Sequence, residues 1–266
     1  MTDFNPWARI GTVLVMTLAV FASAEAGQFA SHRATYDLEL RQASSGSTIQ
    51  AIEGRTVFSL KRFCDGWQSV EDYAITFSFD QATSNFISHY ETWESLTGNA
   101  FSFSVLENST SAGPAEHNGF ANLSDGQGEA WFLDGDDTAS PLPEGTQFPV
   151  NHLKTVLDGA ARGEMITSGT LFLGGERDDA LYYVSSIIGK ATKQEADPIM
   201  GTLGQSEYRP LSIAYYKPDA RDPIPDYSIE FMLQDNGVIR QYIVDYGDFT
   251  MRATLSDITA LEEPAC

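Results

Sequence analysis

Apolar and polar residues alternate with a period of two along much of this 266-residue chain. In the segment 34–41 the even positions hold Ala34, Tyr36, Leu38 and Leu40, while the odd positions are polar or charged. Successive side chains of a strand point to opposite faces, so this pattern is typical of a strand with one buried and one wet face. The sequence therefore predicts an all-β protein with a mostly antiparallel sheet. The same alternation returns in four further segments, 75–79, 101–105, 227–233 and 249–255.

Two dipeptides between alternating segments indicate tight hairpins. Asp65-Gly66 and Asn236-Gly237 each lie between two such segments. Hairpin turns of two residues need positive φ, which Gly and Asn adopt at low cost. Both dipeptides therefore predict direct connections between neighbouring antiparallel strands.

One segment in the middle of the chain has a helical period instead. Pro149 suits the first helical position, and Gly163 suits the position just past the end, with Arg162 near the negative pole of the helix dipole. The sequence thus predicts a helix from Pro149 to Arg162. Its apolar positions recur at intervals of three and four residues: Val150, Leu153, Val156, Leu157, Ala160 and Ala161.

The predicted helix divides the strands into two runs, which could be two domains or one continuous curled sheet. No Pro- or Ser-rich linker separates the runs. With 42% hydrophobic residues, the chain has enough apolar material to build a core. We therefore expect a single β domain over residues 27–266.

Residues 1–26 are predicted to be a cleaved secretory signal peptide. An apolar run over residues 10–22 follows Arg9 and is too short to span a bilayer comfortably. Two small-residue cleavage sites follow it, ending at Ala24 and Ala26, and they disfavour the alternative of an uncleaved anchor. We expect an exported protein that does not span the membrane after removal of the signal. It should carry no lipid anchor, because its first cysteine is Cys64.

The chain has two cysteines, Cys64 and Cys266. In an exported protein such a pair is most simply explained as a disulfide, because an oxidising compartment preserves the bond. A catalytic or metal-binding role would need further cysteines or a well-spaced histidine. We therefore expect one structural disulfide, which closes a loop of about 200 residues.

The charge balance and the motifs exclude several functions. A formal net charge of −21 opposes binding of nucleic acid. The sequence lacks the His-Glu-x-x-His, Cys-x-x-Cys, Gly-x-Ser-x-Gly and Gly-x-Gly-x-x-Gly patterns. The acidic loop 134–137 invites a calcium site, but Ala139 and Gly145 stand where an EF-hand needs Gly and Glu. We expect no cofactor and no dedicated metal site.

Aromatic residues are abundant, with 16 Phe, 11 Tyr and 4 Trp. Consecutive strand residues face opposite ways, so Tyr182-Tyr183 and Tyr215-Tyr216 call for apolar contacts on both faces of the sheet. The second face could pack on the helix, or it could line a concavity that binds a ligand. We expect a hydrophobic cleft beside the helix. Four residues are the candidate ligand contacts: Leu153, Leu157, Tyr183 and Tyr215.

Several short motifs, spread in order over nearly the whole mature chain, together resemble one known family. The motifs are residues 31–38, 54–55, 64–66, 93–95, 142–149, 236–238 and 245–249, with His152 and Cys266. As a set they are similar to the EipB family of cell-envelope integrity proteins of the Gram-negative periplasm. The set is more specific than any one of its members.

The resemblance implies a long antiparallel sheet that curls into an open, spiral-like partial barrel, with one main helix packed against it. It implies a location in the periplasm, a role in envelope integrity and no established enzymatic activity, so we expect a protein that is not an enzyme. The family's paired cysteines fall on Cys64 and Cys266. His32 and His152 then have structural, hydrogen-bonded roles.

Two functions remain from these expectations. The first is a periplasmic, non-enzymatic protein that supports envelope integrity by binding a lipid-like molecule or an envelope protein. The alternative is an enzyme of unrecognised type that acts on an envelope substrate. It would need at least two perturbed ionisable groups in one cleft.

Overall fold

The computed structural model describes residues 29–124, 127–133, 138–193, 195, 197–205, 207–220 and 223–266. The predicted signal peptide and the acidic loop 134–137 lie outside the described residues. Within these ranges the chain forms sixteen strands, one α-helix and two short 3-10 helices. No helix in this part of the chain has the length and apolar character needed to cross a membrane.

The strands of the first run are β1 (His32–Ala43), β2 (Ile49–Arg62), β3 (Gly66–Phe79), β4 (Thr83–Ser95), β5 (Ala100–Ser109), β6 (Gly113–Ser124), β7 (Gln127–Phe132), β8 (Ser140–Leu142) and β9 (Thr146–Gln147). The helix α1 follows (Pro149–Ala161). The second run is β10 (Ile166–Phe172), β11 (Leu181–Ile188), β12 (Thr192–Lys193), β13 (Glu207–Tyr216), β14 (Tyr227–Leu233), β15 (Ile239–Asp245) and β16 (Phe249–Ala260). The 3-10 helices are Arg177–Asp179 and Pro198–Leu203.

The described strands form one sheet in the order β8-β7-β6-β5-β4-β3-β2-β1-β16-β15-β14-β13-β11-β10-β9, with β12 beside β13. Pairing is antiparallel except between β9 and β10. The two runs meet where β1 pairs with β16, from His32 opposite Ala260 to Ala43 opposite Phe249. The predicted mostly antiparallel all-β fold is confirmed, and the two runs share one sheet.

The sheet curls far enough to overlap itself. Leu171 and Phe172 are neighbours at the end of β10 and therefore face opposite sides of the strand. Leu171 packs in the same cluster as helix α1, whereas the Phe172 ring lies 6.1 Å from Phe103 of β5 and 6.2 Å from Phe132 of β7. Both faces of β10 are thus covered, and β5–β7 lie outside it. This overlap gives the predicted spiral, and the sheet is nearly closed and barrel-like.

The hairpin predictions are confirmed, but one of the two glycines serves a different purpose. Gly237, between β14 and β15, has φ 82°, as expected. Gly66 is the first residue of β3 and is not among the glycines with positive φ. A Cβ at Gly66 would lie 2.6 Å from the indole nitrogen of Trp93 and 2.5 Å from the Glu94 carbonyl oxygen. Close approach of β4, and not the backbone conformation, therefore requires glycine at position 66.

Helix α1 fills one end of the interior. It runs over Pro149–Ala161 and so ends one residue before the predicted Arg162, which is its C-cap, with Gly163 at φ 85°. Val156 and Leu157 are its buried apolar residues, and Val150, Leu153 and Ala160 are half-buried at the edge. The surrounding cluster takes side chains from both runs of the sheet, among them Leu60, Trp67, Leu171, Tyr182 and Val184.

Candidate functional site

A cavity of about 940 Å³ occupies a part of the interior that α1 does not fill. Along the inner face of β3, Trp67 belongs to the helix cluster, while the residues from Glu71 to Phe79 line the cavity. Strand β3 therefore spans a packed end and an open end of the same interior. Further lining comes from β1, β2, β4, β5 and β14–β16 and from two turns, as follows: Tyr36, Ile49, Phe58, Ser84, Phe86, Ser109, Ser111, Tyr227, Ile229, Phe231, Ile239, Tyr242, Val244, Tyr246, Phe249 and Met251.

The cavity wall is predominantly aromatic. The ring of Phe249 lies 6.4 Å from Phe77 and 5.0 Å from Tyr246, so the two runs of the sheet meet along a band of rings. Tyr36 lies 5.4 Å from Tyr242, and its hydroxyl donates to the Ile239 carbonyl at 2.8 Å. The polar tip of Tyr36 is thus satisfied by the protein. The surface that Tyr36 presents to the cavity is therefore mainly its apolar ring.

Glu71 carries the one carboxyl among the described residues that line this cavity. Its strand neighbours are Phe58 on β2 and Tyr90 on β4. The Thr56 hydroxyl donates to Glu71 Oε1 at 3.3 Å, and Tyr73 also forms a hydrogen bond with this carboxyl. Burial raises the pKa of Glu71 more than these two hydrogen bonds lower it. The carboxyl is half-buried, because part of its surface faces the cavity.

A smaller recess of about 360 Å³ adjoins the main cavity. The two share Glu71, Tyr73, Phe86 and Tyr227 in their walls. Its other residues come from the inner faces of β4–β6, from Tyr182 and from the loop 173–179. Its lining contains further ionisable side chains: Glu107, His117, Glu176 and Asp179. The carboxyl of Glu71 therefore stands between an apolar space and an acidic one.

A second glutamate on the inner face, Glu94 of β4, holds the start of helix α1. Phe148 at the N-cap provides no side-chain hydrogen bond. The Val150 and Asn151 amides instead donate to Glu94 Oε2 and Oε1, both at 2.8 Å. Burial raises the pKa of Glu94 to about 7, although these two amides favour its charged form. Glu94 of β4 thus provides the N-terminal cap of α1 in place of a residue of the helix itself.

The structure does not bring the four predicted ligand contacts to the cavity. Leu157 is buried and Leu153 half-buried in the helix cluster, where Phe29 and Trp67 occupy the space predicted to be a cleft. Tyr215 stacks on Tyr227 at 4.3 Å, behind the cavity wall. Tyr183 lies on the outer face and is 47% exposed. These four residues lie outside the lining of the main cavity, and their role as ligand contacts stays a prediction.

The cavity wall could have been found by extending one alternation. The sequence pattern at Ile75, Phe77 and Phe79 marks inward positions of β3. Counting back in steps of two gives Tyr73 and then Glu71, which both line the cavity. A carboxyl at an inward position breaks the apolar pattern, and that break is the signal that sequence reasoning missed.

The cysteines and the two buried histidines are not among the cavity-lining residues, although the His32 ring lies 5.8 Å from that of Phe58, which is. Cys64 and Cys266 are at disulfide distance, with Sγ atoms 2.15 Å apart and Cα atoms 5.5 Å apart. His32 Nδ1 lies 2.7 Å from the Ala30 carbonyl, and His152 Nδ1 lies 3.0 Å from Gln147 Oε1. Burial lowers the pKa of both, that of His152 to about 4. These hydrogen bonds fit the predicted structural roles.

The curled sheet and its inner helix define a β-barrel-like protein with an internal, mainly apolar cavity. The chain belongs to the EipB-like family, whose model matches residues 23–262. It is 29% identical over 239 residues to the cell envelope integrity protein EipB of Brucella abortus, covering 88% of this chain and 85% of that protein. The crystal structure of a β-barrel-like protein from Brucella abortus superposes with a TM-score of 0.81 at 28% identity, covering 89% of this chain and 100% of that one.

Proposed function

We propose that this chain supports cell-envelope integrity in the periplasm, as a non-enzymatic protein that holds a lipid-like molecule in its cavity. The envelope role follows the name of its relative from Brucella abortus. The periplasmic location follows the predicted signal peptide and the family resemblance. The cavity supplies the binding activity.

The observation that carries the proposal is the size and chemistry of the cavity. Its volume of about 940 Å³ is large enough for an acyl chain, and its wall is made mainly of Phe, Tyr and Ile side chains. Moving an apolar chain from water into such a space gains roughly 0.8 kcal/mol for each buried methylene group. Lipids with apolar chains are also abundant in the surroundings of an envelope protein.

The non-enzymatic part of the proposal rests on how the ionisable groups are used. The carboxyl of Glu94 is bound by the first turn of α1, and His32 and His152 are held by hydrogen bonds in the core. Glu71 is left facing the cavity, with Thr56 and Tyr73 as its polar neighbours. Measurable turnover in panels of esterase, lipase or peptidase substrates would contradict this part.

The binding proposal is tested by titration with uncharged N-phenylnaphthylamine, whose fluorescence rises in apolar surroundings. Ser84 lines the cavity, and Ser84→Trp should weaken probe binding on the order of tenfold by filling space. Thr83→Trp adds the same ring to the exposed outer face of the same strand and should leave binding unchanged. Absence of saturable binding, or equal effects of the two variants, would contradict a ligand in this cavity.

A further inference from the structure

Glu71 lies at the boundary between the aromatic cavity and the acidic recess. On one side lies the aromatic cavity, and on the other lies the recess lined by Glu107, Glu176 and Asp179. Tyr73 and Tyr227 are shared by both spaces. A molecule with an apolar chain and a polar head could therefore place its chain among the rings and its head at Glu71.

The recess is covered by the loop 173–179, and its lining carries acidic side chains. The Tyr90 hydroxyl donates to the Leu173 carbonyl, which ties the loop 173–179 to the inner face of β4. Asp179 forms an ion pair with Lys217, whose ammonium group also lies 4.9 Å from the centre of the Tyr182 ring. His117 of β6 lies in the wall as well. Glu71, Glu107 and Glu176 leave the recess acidic despite this lysine and histidine.

We propose that the cavity selects amphiphiles by head group, taking an uncharged or cationic head at Glu71 and rejecting an anionic one. This inference rests on the proposed function, since it presupposes that an apolar chain occupies the cavity. It assigns to Glu71 the role of the specificity-determining residue.

The selectivity follows from what each head group would meet. A cationic head favours the charged form of Glu71, which burial alone disfavours, and pairs with that carboxylate. A hydroxyl or amide head can exchange hydrogen bonds with Glu71 and with Tyr73. An anionic head would face Glu71 across a few ångströms, with Glu107 and Glu176 behind it. Like charges at such a distance repel more strongly in a partly desolvated site than in water, where the solvent screens them. Binding of the anionic amphiphile should therefore be weaker on the order of tenfold or more.

The test uses three amphiphiles that share a dodecyl chain: dodecanesulfonate, dodecylglycerol and dodecyltrimethylammonium. Each displaces N-phenylnaphthylamine from the full mature chain, below its micelle concentration. We expect the sulfonate to bind on the order of tenfold more weakly than the other two. Glu71→Gln should remove most of this difference by strengthening sulfonate binding, because it removes the charge and keeps the shape.

Asp72→Asn is the matched control for Glu71→Gln. It changes the net charge equally, at the adjacent residue, but Asp72 is exposed on the outer face and pairs with His89. It should leave the head-group preference unchanged. If Glu71→Gln fails to fold, Glu107→Gln in the recess serves instead, with a smaller gain in sulfonate binding.

The outcomes separate the two proposals. Equal binding of the three amphiphiles, or tightest binding of the sulfonate, overturns the selectivity while an apolar binding site stands. A preference that persists in Glu71→Gln overturns the role of Glu71. If none of the three amphiphiles displaces the probe, and the probe itself does not bind, the proposed function fails.

Discussion

The interior of the curled sheet has two ends that differ in how they are filled, and each contains one inward-facing glutamate, buried at one end and half-buried at the other. The packed end surrounds α1, with Val156, Leu157 and Trp67 at its centre. The open end is the aromatic cavity. Glu94 lies at the packed end and Glu71 at the open end, on the inner faces of the neighbouring strands β4 and β3.

Burial raises the pKa of both carboxyls, so the direction of the pKa shift does not distinguish them. Their partners do. Both oxygens of Glu94 accept backbone amides of α1, and its residue is 2% exposed. Glu71 has partners in Thr56 and Tyr73 but keeps surface that faces the cavity. A carboxyl whose oxygens are both hydrogen-bonded by the protein serves a structural role. A carboxyl that keeps exposed surface facing a cavity can also contact a ligand.

The largest expected effect concerns the disulfide, which adjoins the packed end. Cys64 lies in the turn between β2 and β3, and its link to Cys266 spans 202 residues. Chain entropy predicts that Cys64→Ser lowers the free energy of unfolding by about 5 kcal/mol. The melting temperature should then fall by roughly 10–20 °C.

Thermal melts of the oxidised and reduced wild type, with Cys64→Ser alongside, measure this effect. The variant should match the reduced protein. Below the melting transition, binding of N-phenylnaphthylamine should stay near that of the wild type, because the link lies away from the cavity lining. A change of only a degree or two would show that the tail contributes little to the packed end.

The second prediction compares two leucines of α1. Leu157 is buried at the packed end, so Leu157→Ala should lower the free energy of unfolding by about 2–5 kcal/mol. Leu153 lies one turn earlier and is half-buried, so Leu153→Ala should cost about half as much. Denaturant unfolding measures both. Equal losses of unfolding free energy would mean that α1 buries a different one of its faces against the sheet.

The third prediction concerns Glu94 and pH. With its folded-state pKa raised to about 7 and an ordinary value of 4.5, Glu94 binds a proton more tightly when the chain is folded. Its contribution to stability is present below pH 4.5 and is lost as the pH rises to 7, by roughly 3 kcal/mol. The lowered pKa values of His32 and His152 act in the opposite direction.

The difference in stability between wild type and Glu94→Gln isolates this carboxyl, because the histidines are common to both proteins. That difference should become less favourable to the wild type as the pH rises from 4.5 to 7. Urea unfolding at intervals across this range measures it. A difference that is constant with pH would show that the helix amides keep the carboxylate charged throughout.

Much of the fold was predictable because its signals are local. Alternation identified strands such as β1 and β16, and the spacing between Val150 and Ala161 identified α1 to within a residue of its end. Gly237 has the positive φ that its hairpin requires. Each of these features depends on neighbours in sequence, which a single chain displays directly.

The position of the cavity was not predictable in this way, because it depends on which distant side chains meet. Leu153 and Leu157 have the right chemistry for a ligand contact, but Phe29, Leu60 and Trp67 from distant parts of the chain fill the space beside them. Tyr215 similarly stacks on Tyr227. Packing between the two runs decides where space remains, and a strand pattern does not encode how far a sheet curls.

The smallest expected effect tests the open end itself. The Phe77 ring is half-buried and faces the cavity, so Phe77→Ala removes few packed contacts and should cost about 1 kcal/mol. Phe103 is 4% exposed among the rings of Phe101, Phe132 and Phe172, and Phe103→Ala should cost about 3–5 kcal/mol. Denaturant midpoints of the two variants give the comparison. Equal costs would mean that Phe77 is held as tightly as the packed rings, and that the open end closes around its own side chains instead of leaving room for a ligand.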